Sequence, residues 1–94
     1  MEGDLETNFK NLAARVRDED KIPKDTPDDD MLELYALFKQ GSIGDVNIDA
    51  PGMFSMPKTK AKFYAWEKKK GMDKKTAMKN YIQHAKKLLN EIRL

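Results

Sequence analysis

The sequence of 94 residues has no cysteine and only one histidine. The chain can therefore form no disulfide bond, thiolate metal site or thiol nucleophile, and a reducing compartment suits it. His84 alone cannot supply the several ligands of a zinc site, so we predict that it is a surface or helix-contact imidazole. The sequence also lacks a secretory signal, a glycine at position 2 and any long uncharged run. We therefore expect a cytoplasmic protein.

Length and composition bound the size of the fold. The chain is long enough for one small domain, spanning residues 1–94, and too short for two. Hydrophobic residues make up 39% of it and charged residues 36%. We therefore expect a packed core beneath a heavily ionised surface.

Charge is distributed unevenly along the chain. Residues 1–57 carry 6 basic and 13 acidic side chains, whereas residues 58–94 carry 12 basic and 3 acidic ones. The basic excess favours an anionic partner wherever the acidic first part does not neutralise it. A solvated basic face explains the same pattern, and charge alone does not decide between the two.

Apolar residues recur with helical spacing in four stretches, and no stretch alternates with the period of two that a strand needs. The sequence therefore predicts an all-α fold. The second helix is predicted over residues 27–40, with Thr26 as its cap, Pro27 at its first position and Gly41 in a left-handed conformation after its end. The first helix carries the stripe Leu5, Phe9, Leu12 and Val16.

The second half of the chain is predicted to hold a loop and two helices. Residues 41–58 contain three of the five glycines and two of the four prolines. They predict a long ordered loop, of a kind that often serves function. The third helix is predicted over residues 59–70 and ends at Gly71, while the fourth is capped by Asp73. The stripe of the fourth helix consists of Ala77, Met78, Tyr81, Ile82, Ala85, Leu88, Leu89 and Ile92.

Candidate metal and catalytic sites fail on their residue types. Asp45, Asn47 and Asp49 resemble the first ligands of a calcium loop. However, Ala50 stands where the turn glycine belongs, and Met56 stands where the bidentate glutamate belongs. The chain offers no nucleophile paired with a base, so we expect no catalytic residue, no metal and no enzyme activity.

Tyr35, Phe38 and Lys39 form a candidate binding patch on the second helix. Their spacing of i, i+3 and i+4 places two aromatic rings and an ammonium group side by side. A planar base can stack on such a ring while the cation holds its phosphate. The same spacing fits two core rings beside a solvated lysine. Lys62 and Tyr81 join the patch only if the fold brings them there.

Several motifs in the same order resemble the acyl-CoA-binding protein (diazepam-binding inhibitor) family. They are LYALFKQGSIGDVN at residues 34–47, Pro51-Gly52, KAKFYAW at residues 60–66, Lys70-Gly71 and AMKNYI at residues 77–82. The resemblance covers nearly the whole chain. It implies a four-helix bundle of up-down-down-up topology that binds fatty acyl-CoA thioesters without transforming them.

The resemblance also implies a set of site residues. Tyr35, Lys39 and Lys62 fall at the positions that hold the nucleotide end, especially the ribose 3′-phosphate. Phe38 falls where the family stacks adenine, and Tyr81 falls at another ligand-contacting aromatic position. The remaining implied positions are the basic Arg17 near the ligand and the apolar Phe9, Leu12, Ala13 and Leu34.

Two aromatic positions depart from the usual family pattern. Phe38 and Phe63 stand where better-known members have tyrosine and tryptophan. These replacements preserve the apolar ring area and remove a hydroxyl group and an indole donor. We expect stacking to survive at Phe38.

The implied function is that of an intracellular carrier and pool buffer for medium- to long-chain acyl-CoA. Such a protein needs no cofactor, binds no nucleic acid, is a monomer, and meets acyl-CoA-using enzymes or membranes transiently. The alternative that the residues leave open is a basic nucleic-acid-binding module on the third and fourth helices. That module predicts affinity for RNA or DNA that falls steeply with salt.

Overall fold

The computed structural model describes residues 2–17 and 26–89. Within these ranges the chain forms four helices and no strand, namely α1 Glu2–Arg17, α2 Asp28–Ser42, α3 Pro57–Glu67 and α4 Lys74–Leu88. The prediction of an all-α fold is confirmed. In these same ranges, no helix has the length and apolar character needed to cross a bilayer. Ile92, which belongs to the predicted stripe of the fourth helix, and residues 18–25 lie outside the described residues.

The start of α2 differs from its prediction by one residue. Pro27 is the N-cap, with φ −58° and ψ 146°, and no side-chain cap hydrogen bond is formed there. Its carbonyl accepts the N–H of Asp30 over 3.1 Å and that of Met31 over 3.3 Å, so it already has the role of a cap. The prediction that Thr26 caps the helix with Pro27 at the first position is therefore wrong. The first turn is acidic, as predicted, which suits the positive end of the helix dipole.

Gly41 lies inside α2, and the prediction that it ends the helix in a left-handed conformation is wrong. The helix continues to Ser42, and the positive φ of 104° belongs to Gly44. A Cβ atom at Gly41 would lie 3.0 Å from Phe9 Cζ and 3.2 Å from Met78 Cγ. A Cβ atom there would crowd both side chains, so Gly41 favours the close approach of α1 and α4 to α2, which the local sequence does not reveal.

The third helix begins and ends earlier than residues 59–70. Met56 is its N-cap, and Pro57 takes the first position, where its missing N–H has no helical partner to lose. After Glu67 the N–H groups of Lys69 and Lys70 bond three residues back, over 2.9 and 3.0 Å, in tight turns. Gly71, with φ of 94°, completes the reversal towards α4.

The predicted cap of α4 is confirmed. The Asp73 carboxylate accepts the Thr76 N–H over 3.2 Å and the Thr76 hydroxyl over 2.6 Å. These two hydrogen bonds, that of the hydroxyl foremost, lower the pKa of Asp73. The carboxylate therefore stays ionised at the positive end of the α4 dipole, where negative charge stabilises the helix.

Helices α2 and α4 pack antiparallel. The rings of Phe38 and Tyr81 have centroids 6.2 Å apart. Nearer the start of α2, an Asp30 carboxylate oxygen lies 3.6 Å from Nε2 of His84, towards the end of α4. The contact with Asp30 confirms that His84 is a helix-contact imidazole. Because the pairing moves forward in one helix and backward in the other, the two run in opposite directions.

Helices α2 and α3 run in the same direction. Lys62 Nζ lies 5.4 Å from the centroid of the Tyr35 ring, and Lys39 Nζ lies 5.5 Å from that of Trp66, so the pairing advances in both helices together. The Trp66 indole N–H also donates to the Gly44 carbonyl over 2.9 Å. Two successive parallel helices need a long connection, which explains the predicted loop.

The core lies where α1, α2 and α4 meet. Phe9 of α1 packs edge-on against Tyr81 at 5.1 Å between centroids and stacks on Phe38 at 5.8 Å. The buried cluster around these rings comprises Phe9, Leu12, Ala13, Leu34, Leu37, Tyr81 and Ala85. The apolar stripes of α1, α2 and α4 thus converge on one apolar centre.

The buried amide of Gln40 ties the loop after α2 to the turn before α4. Its Nε2 donates to Asp45 Oδ1 over 2.9 Å and to the Met72 carbonyl over 2.8 Å. The same Asp45 oxygen accepts the Gly71 N–H over 2.8 Å. One carboxylate therefore links two segments that are distant in sequence.

Replacing Asp45 with asparagine should lower the stability of the fold at neutral pH and not in acid. Hydrogen bonds from the Gly71 N–H and the Gln40 amide lower the pKa of Asp45. A carboxyl whose pKa is lower in the folded chain stabilises it above the unfolded pKa of about 3.9. That contribution is lost as pH falls through the folded pKa. We expect the urea midpoint of Asp45→Asn to lie below that of the wild type at neutral pH, with a difference that shrinks below about pH 4.

Trp66 fluorescence across a pH series measures these midpoints. Asp49→Asn, which neutralises an exposed carboxylate of the same loop, is the control and should match the wild type closely at every pH. A difference between Asp45→Asn and the wild type that stays constant with pH would contradict the proposed role of the charge.

Candidate ligand-binding cleft

An open cleft of about 850 Å³ lies between α2 and α3 and extends to α1 and α4. Its volume falls within the range of about 300–1,000 Å³ that is usual for small-molecule sites. Most of the lining is apolar, with basic groups from two helices. The lining residues are Ala13, Val16, Asp28, Met31, Leu32, Leu34, Tyr35, Phe38, Lys39, Pro57, Lys58, Ala61, Lys62 and Tyr81.

Helical spacing explains why these side chains face the same space. In α2, the lining residues Leu32, Tyr35 and Lys39 follow one another at intervals of three and four, which keeps them on one face. In α3, Lys58 and Lys62 are four residues apart and share a face in the same way. The parallel course of α2 and α3 brings the two faces together.

Two ammonium groups converge on the ring of Tyr35. Lys39 Nζ lies 5.8 Å from the ring centroid, and Lys62 Nζ lies 5.4 Å from it. The electron-rich face of an aromatic ring attracts cations, and it holds both side chains in place. Within residues 2–17 and 26–89, neither ammonium forms a salt bridge with a carboxylate. The pair is therefore suited to an anion with more than one negative charge, such as a phosphate group.

The hydroxyl of Tyr35 remains neutral in this setting. Burial raises the pKa of Tyr35 above its ordinary value. At neutral pH the hydroxyl keeps its proton and can donate one hydrogen bond and accept others. The polar part of the cleft thus offers two cations and a neutral hydroxyl group.

The apolar part of the cleft is continuous with the core. Phe38 and Tyr81 line the cleft, and both rings pack on Phe9 beneath it. Val16 and Leu34 also line the cleft and belong to or pack on the core cluster. A ligand in the cleft would therefore touch apolar side chains that the core holds in position.

The structure brings together seven of the ten site residues that the resemblance implies. Phe9 and Leu12 belong to the buried core cluster but do not line the cleft. Arg17 is the last residue of α1, and its side chain lies outside the described residues. The seven that line the cleft are Ala13, Leu34, Tyr35, Phe38, Lys39, Lys62 and Tyr81.

Several lining residues have no place among the site residues implied by sequence. Leu32 and Ala61 lie three or four residues from Tyr35 and Pro57, and so extend the same helical faces. That spacing could have identified them once the second and third helices were known to face each other. The full set is Val16, Asp28, Met31, Leu32, Pro57, Lys58 and Ala61.

The fold and the cleft together define a ligand-binding four-helix bundle. A family described as Acyl CoA binding protein matches residues 6–85. The chain therefore belongs to the acyl-CoA-binding protein family, and the resemblance found in its sequence is confirmed.

Curated relatives and a solved structure agree with this assignment. Acyl-CoA-binding protein homolog 1 of Caenorhabditis elegans is 46% identical over 83 residues, which cover 87% of this chain and 91% of the relative. The acyl-CoA-binding protein homolog of Manduca sexta is 43% identical over 91 residues, which cover 96% and 97%. The crystal structure of Oryza sativa Acyl-CoA-Binding Protein 2 has a TM-score of 0.82 at 34% identity and covers 93% of this chain and 92% of that one. None of these similarities supports the nucleic-acid-binding alternative.

Proposed function

We propose that this protein binds medium- to long-chain fatty acyl-CoA esters and acts as a carrier and pool buffer for them. The observation that carries the proposal is the pair of ammonium groups on Tyr35 at one part of a largely apolar cleft. An acyl-CoA molecule has the matching chemistry, because it joins a phosphorylated nucleotide to a flexible apolar chain. Membership of the acyl-CoA-binding protein family supports the same ligand.

The phosphates of the ligand are assigned to Lys39, Lys62 and the hydroxyl of Tyr35. Lys39 is half-buried and Lys62 is exposed, so the former is the more desolvated cation. Charge-assisted hydrogen bonds are stronger where water is partly excluded. Lys39 should therefore contribute more to affinity than Lys62. Phe38, the remaining ring on this face of α2, is assigned to the adenine.

The acyl chain is assigned to the apolar lining of the cleft. Ala13, Val16 and Leu34 offer a surface without charge, and Tyr81 adds an aromatic face. Removing the chain from water contributes about 0.8 kcal/mol for each buried methylene group. Arg17 at the end of α1 stays a predicted basic contact near the ligand.

Affinity should rise with the length of the acyl chain and then level off. We expect each added methylene to lower Kd about threefold to fourfold while the chain is still entering the cleft. Once the cleft is full, additional methylenes should change Kd little. Isothermal titration with CoA esters of about 8 to about 20 carbons measures this series. Free CoA is the control and should bind far more weakly than the long esters, and a Kd that is independent of chain length would contradict the carrier function.

In the proposed function, the protein acts without catalysis and without a cofactor. The whole chain is a single acyl-CoA-binding domain, a monomer in the cytoplasm, that meets acyl-CoA-using enzymes or membranes transiently. Within the part of the chain that the structure describes, no cluster of His, Asp or Glu could hold a metal ion. A carrier needs only to bind and release its ligand, and the groups of the cleft are suited to that task.

A further inference from the structure

The loop between α2 and α3 exposes large apolar side chains just before α3 begins. Phe54 is 97% exposed, Met53 is 81% exposed and Met56 is 71% exposed. We call these three residues the apolar tip. Neighbouring exposed apolar groups of this size mark interaction sites more often than single ones do. The cleft does not include them among its lining residues, so its ligand does not account for their exposure.

The apolar tip is an ordered turn. The Ser55 N–H donates to the Gly52 carbonyl over 3.0 Å, which closes a turn with Met53 and Phe54 at its two central positions. The Lys60 ammonium donates to the Met53 carbonyl over 2.8 Å and fastens the turn to the first turn of α3. The backbone is thus held in place while the apolar side chains face the solvent.

Cations accompany the apolar tip. Residues 50–66 include Lys58, Lys60 and Lys62 and no acidic residue, and Asp49 is the nearest acid before them. An exposed phenyl ring and two thioethers beside lysines match the interface of a bilayer that contains anionic lipids. The apolar groups can enter the boundary of the acyl region while the ammonium groups meet the lipid phosphates.

We infer that the apolar tip, together with Lys58 and Lys60, docks this protein on an anionic lipid membrane. Pro57 and Lys58 follow the tip directly and line the cleft, so docking places this edge of the cleft against the bilayer. An acyl chain could then pass between the bilayer and the cleft with little exposure to water. That passage rests on the proposed function, whereas the docking itself does not.

Sedimentation of the ligand-free chain of 94 residues with lipid vesicles tests the docking. We expect binding to phosphatidylcholine vesicles that contain about 30% phosphatidylserine, and much weaker binding to phosphatidylcholine alone. Raising the salt from about 0.1 M to about 0.5 M should weaken the binding, because it screens the lysines. Absence of binding to the anionic vesicles would overturn the inference.

The apolar contribution is tested by Phe54→Ser. We expect its partition onto anionic vesicles to fall about tenfold or more, because the phenyl ring no longer enters the bilayer. Ile43→Ser is the matched control, since it removes a partly exposed apolar side chain at the far end of the same loop and should change partition by less than about twofold. Equal partition of Phe54→Ser and the wild type would overturn the role of the tip.

Fluorescence quenching locates the tip in the bilayer. In vesicles of the same composition with brominated acyl chains, Phe54→Trp should be quenched strongly, whereas the buried Trp66 of the wild type should be quenched little. Equal quenching of the two proteins would show that the tip stays in water and would overturn the inference. Sedimentation velocity tests a second copy of the chain as the partner of the tip. If the protein does not bind vesicles but forms a dimer in solution that Phe54→Ser abolishes, the membrane inference is overturned and the tip is assigned to that second copy.

Titration with a long-chain acyl-CoA in the absence of vesicles separates this inference from the proposed function. Phe54→Ser should bind the thioester as the wild type does, because Phe54 is not among the lining residues of the cleft. Binding to vesicles without binding to acyl-CoA would overturn the proposed function alone. Binding to acyl-CoA without binding to vesicles would overturn the membrane docking alone.

Discussion

Replacing Lys39 with alanine should weaken the binding of a long-chain acyl-CoA by about 10-fold to 100-fold. The Lys39 ammonium is half-buried and lies between the rings of Tyr35 and Trp66, 5.8 and 5.5 Å from their centroids. A hydrogen bond from such a cation to a phosphate contributes about 1.5–3 kcal/mol. Alanine removes that bond, and of the two ammonium groups seen near Tyr35 in the described residues only that of Lys62 remains. Isothermal titration measures the change in Kd.

Lys87→Ala is the matched control for Lys39→Ala. It removes the same charge from an exposed position on α4 that does not line the cleft. At moderate salt we expect it to change Kd by less than about twofold, because exposed distant charges are screened. Equal losses in the two variants would show that a diffuse basic surface attracts the ligand. Circular dichroism should show both variants to be as helical as the wild type.

Phe9→Ala should lower the free energy of unfolding by about 3–5 kcal/mol, the usual effect of removing a buried phenyl ring. Phe9 is 2% exposed and contacts the rings of Tyr81 and Phe38. Its ring also lies against Gly41, so the cavity would open where three helices meet. A small domain has a total stability of about 5–15 kcal/mol, and the loss is therefore a large part of it. Urea unfolding followed by Trp66 fluorescence measures the change.

Phe54→Ala provides a matched control, since it removes the same atoms from a side chain that is exposed to solvent instead of buried. Phe54 is 97% exposed, and its removal opens no cavity. We expect a change in stability of no more than about 0.5 kcal/mol. The packing described for α1 makes the effect depend on where the phenyl ring lies, since the same ring is removed in both variants. Similar losses of stability in Phe9→Ala and Phe54→Ala would therefore contradict that packing.

The sequence predicts the helices well where the signal is local. The regular stripe of α4 and the Asp73 cap identify its start, because both depend on neighbours within one or two turns. At α3 the signal is weaker, since only Phe63 and Trp66 of this helix are buried. Its predicted start lies two residues late, because Pro57 fits a loop as well as the first position of a helix, where proline is favoured.

Two glycines near the end of α2 show a limit of prediction from local sequence. Gly41 and Gly44 both follow the apolar stripe of α2, and either could end the helix by its own conformational preference. What distinguishes them is the ring of Phe9, which comes from another helix and would be crowded by a Cβ atom at Gly41. Such a preference belongs to tertiary packing and cannot be found by spacing along one helix.

In the candidate site, too, some features follow from local sequence and others depend on tertiary packing. Spacing alone places Tyr35, Phe38 and Lys39 on one face of α2, whatever the rest of the fold. The meeting of Lys62 with Tyr35 depends on the parallel course of α2 and α3, which the family resemblance implies and composition does not. The resemblance implies Phe9 as an apolar position that shelters the ligand. In the structure Phe9 lies beneath the cleft-lining rings of Phe38 and Tyr81, an arrangement that depends on packing between helices.

The rings of Phe38 and Tyr81 belong to the wall of the cleft and also pack on Phe9 in the core. Their rotamers are therefore fixed before any ligand arrives, by the same contacts that keep the helices assembled. A bound molecule would find these surfaces pre-organised and would lose little affinity to the conformational entropy of side chains. Most of the binding free energy would thus contribute to affinity, because the side chains of the cleft would rearrange little when the ligand binds.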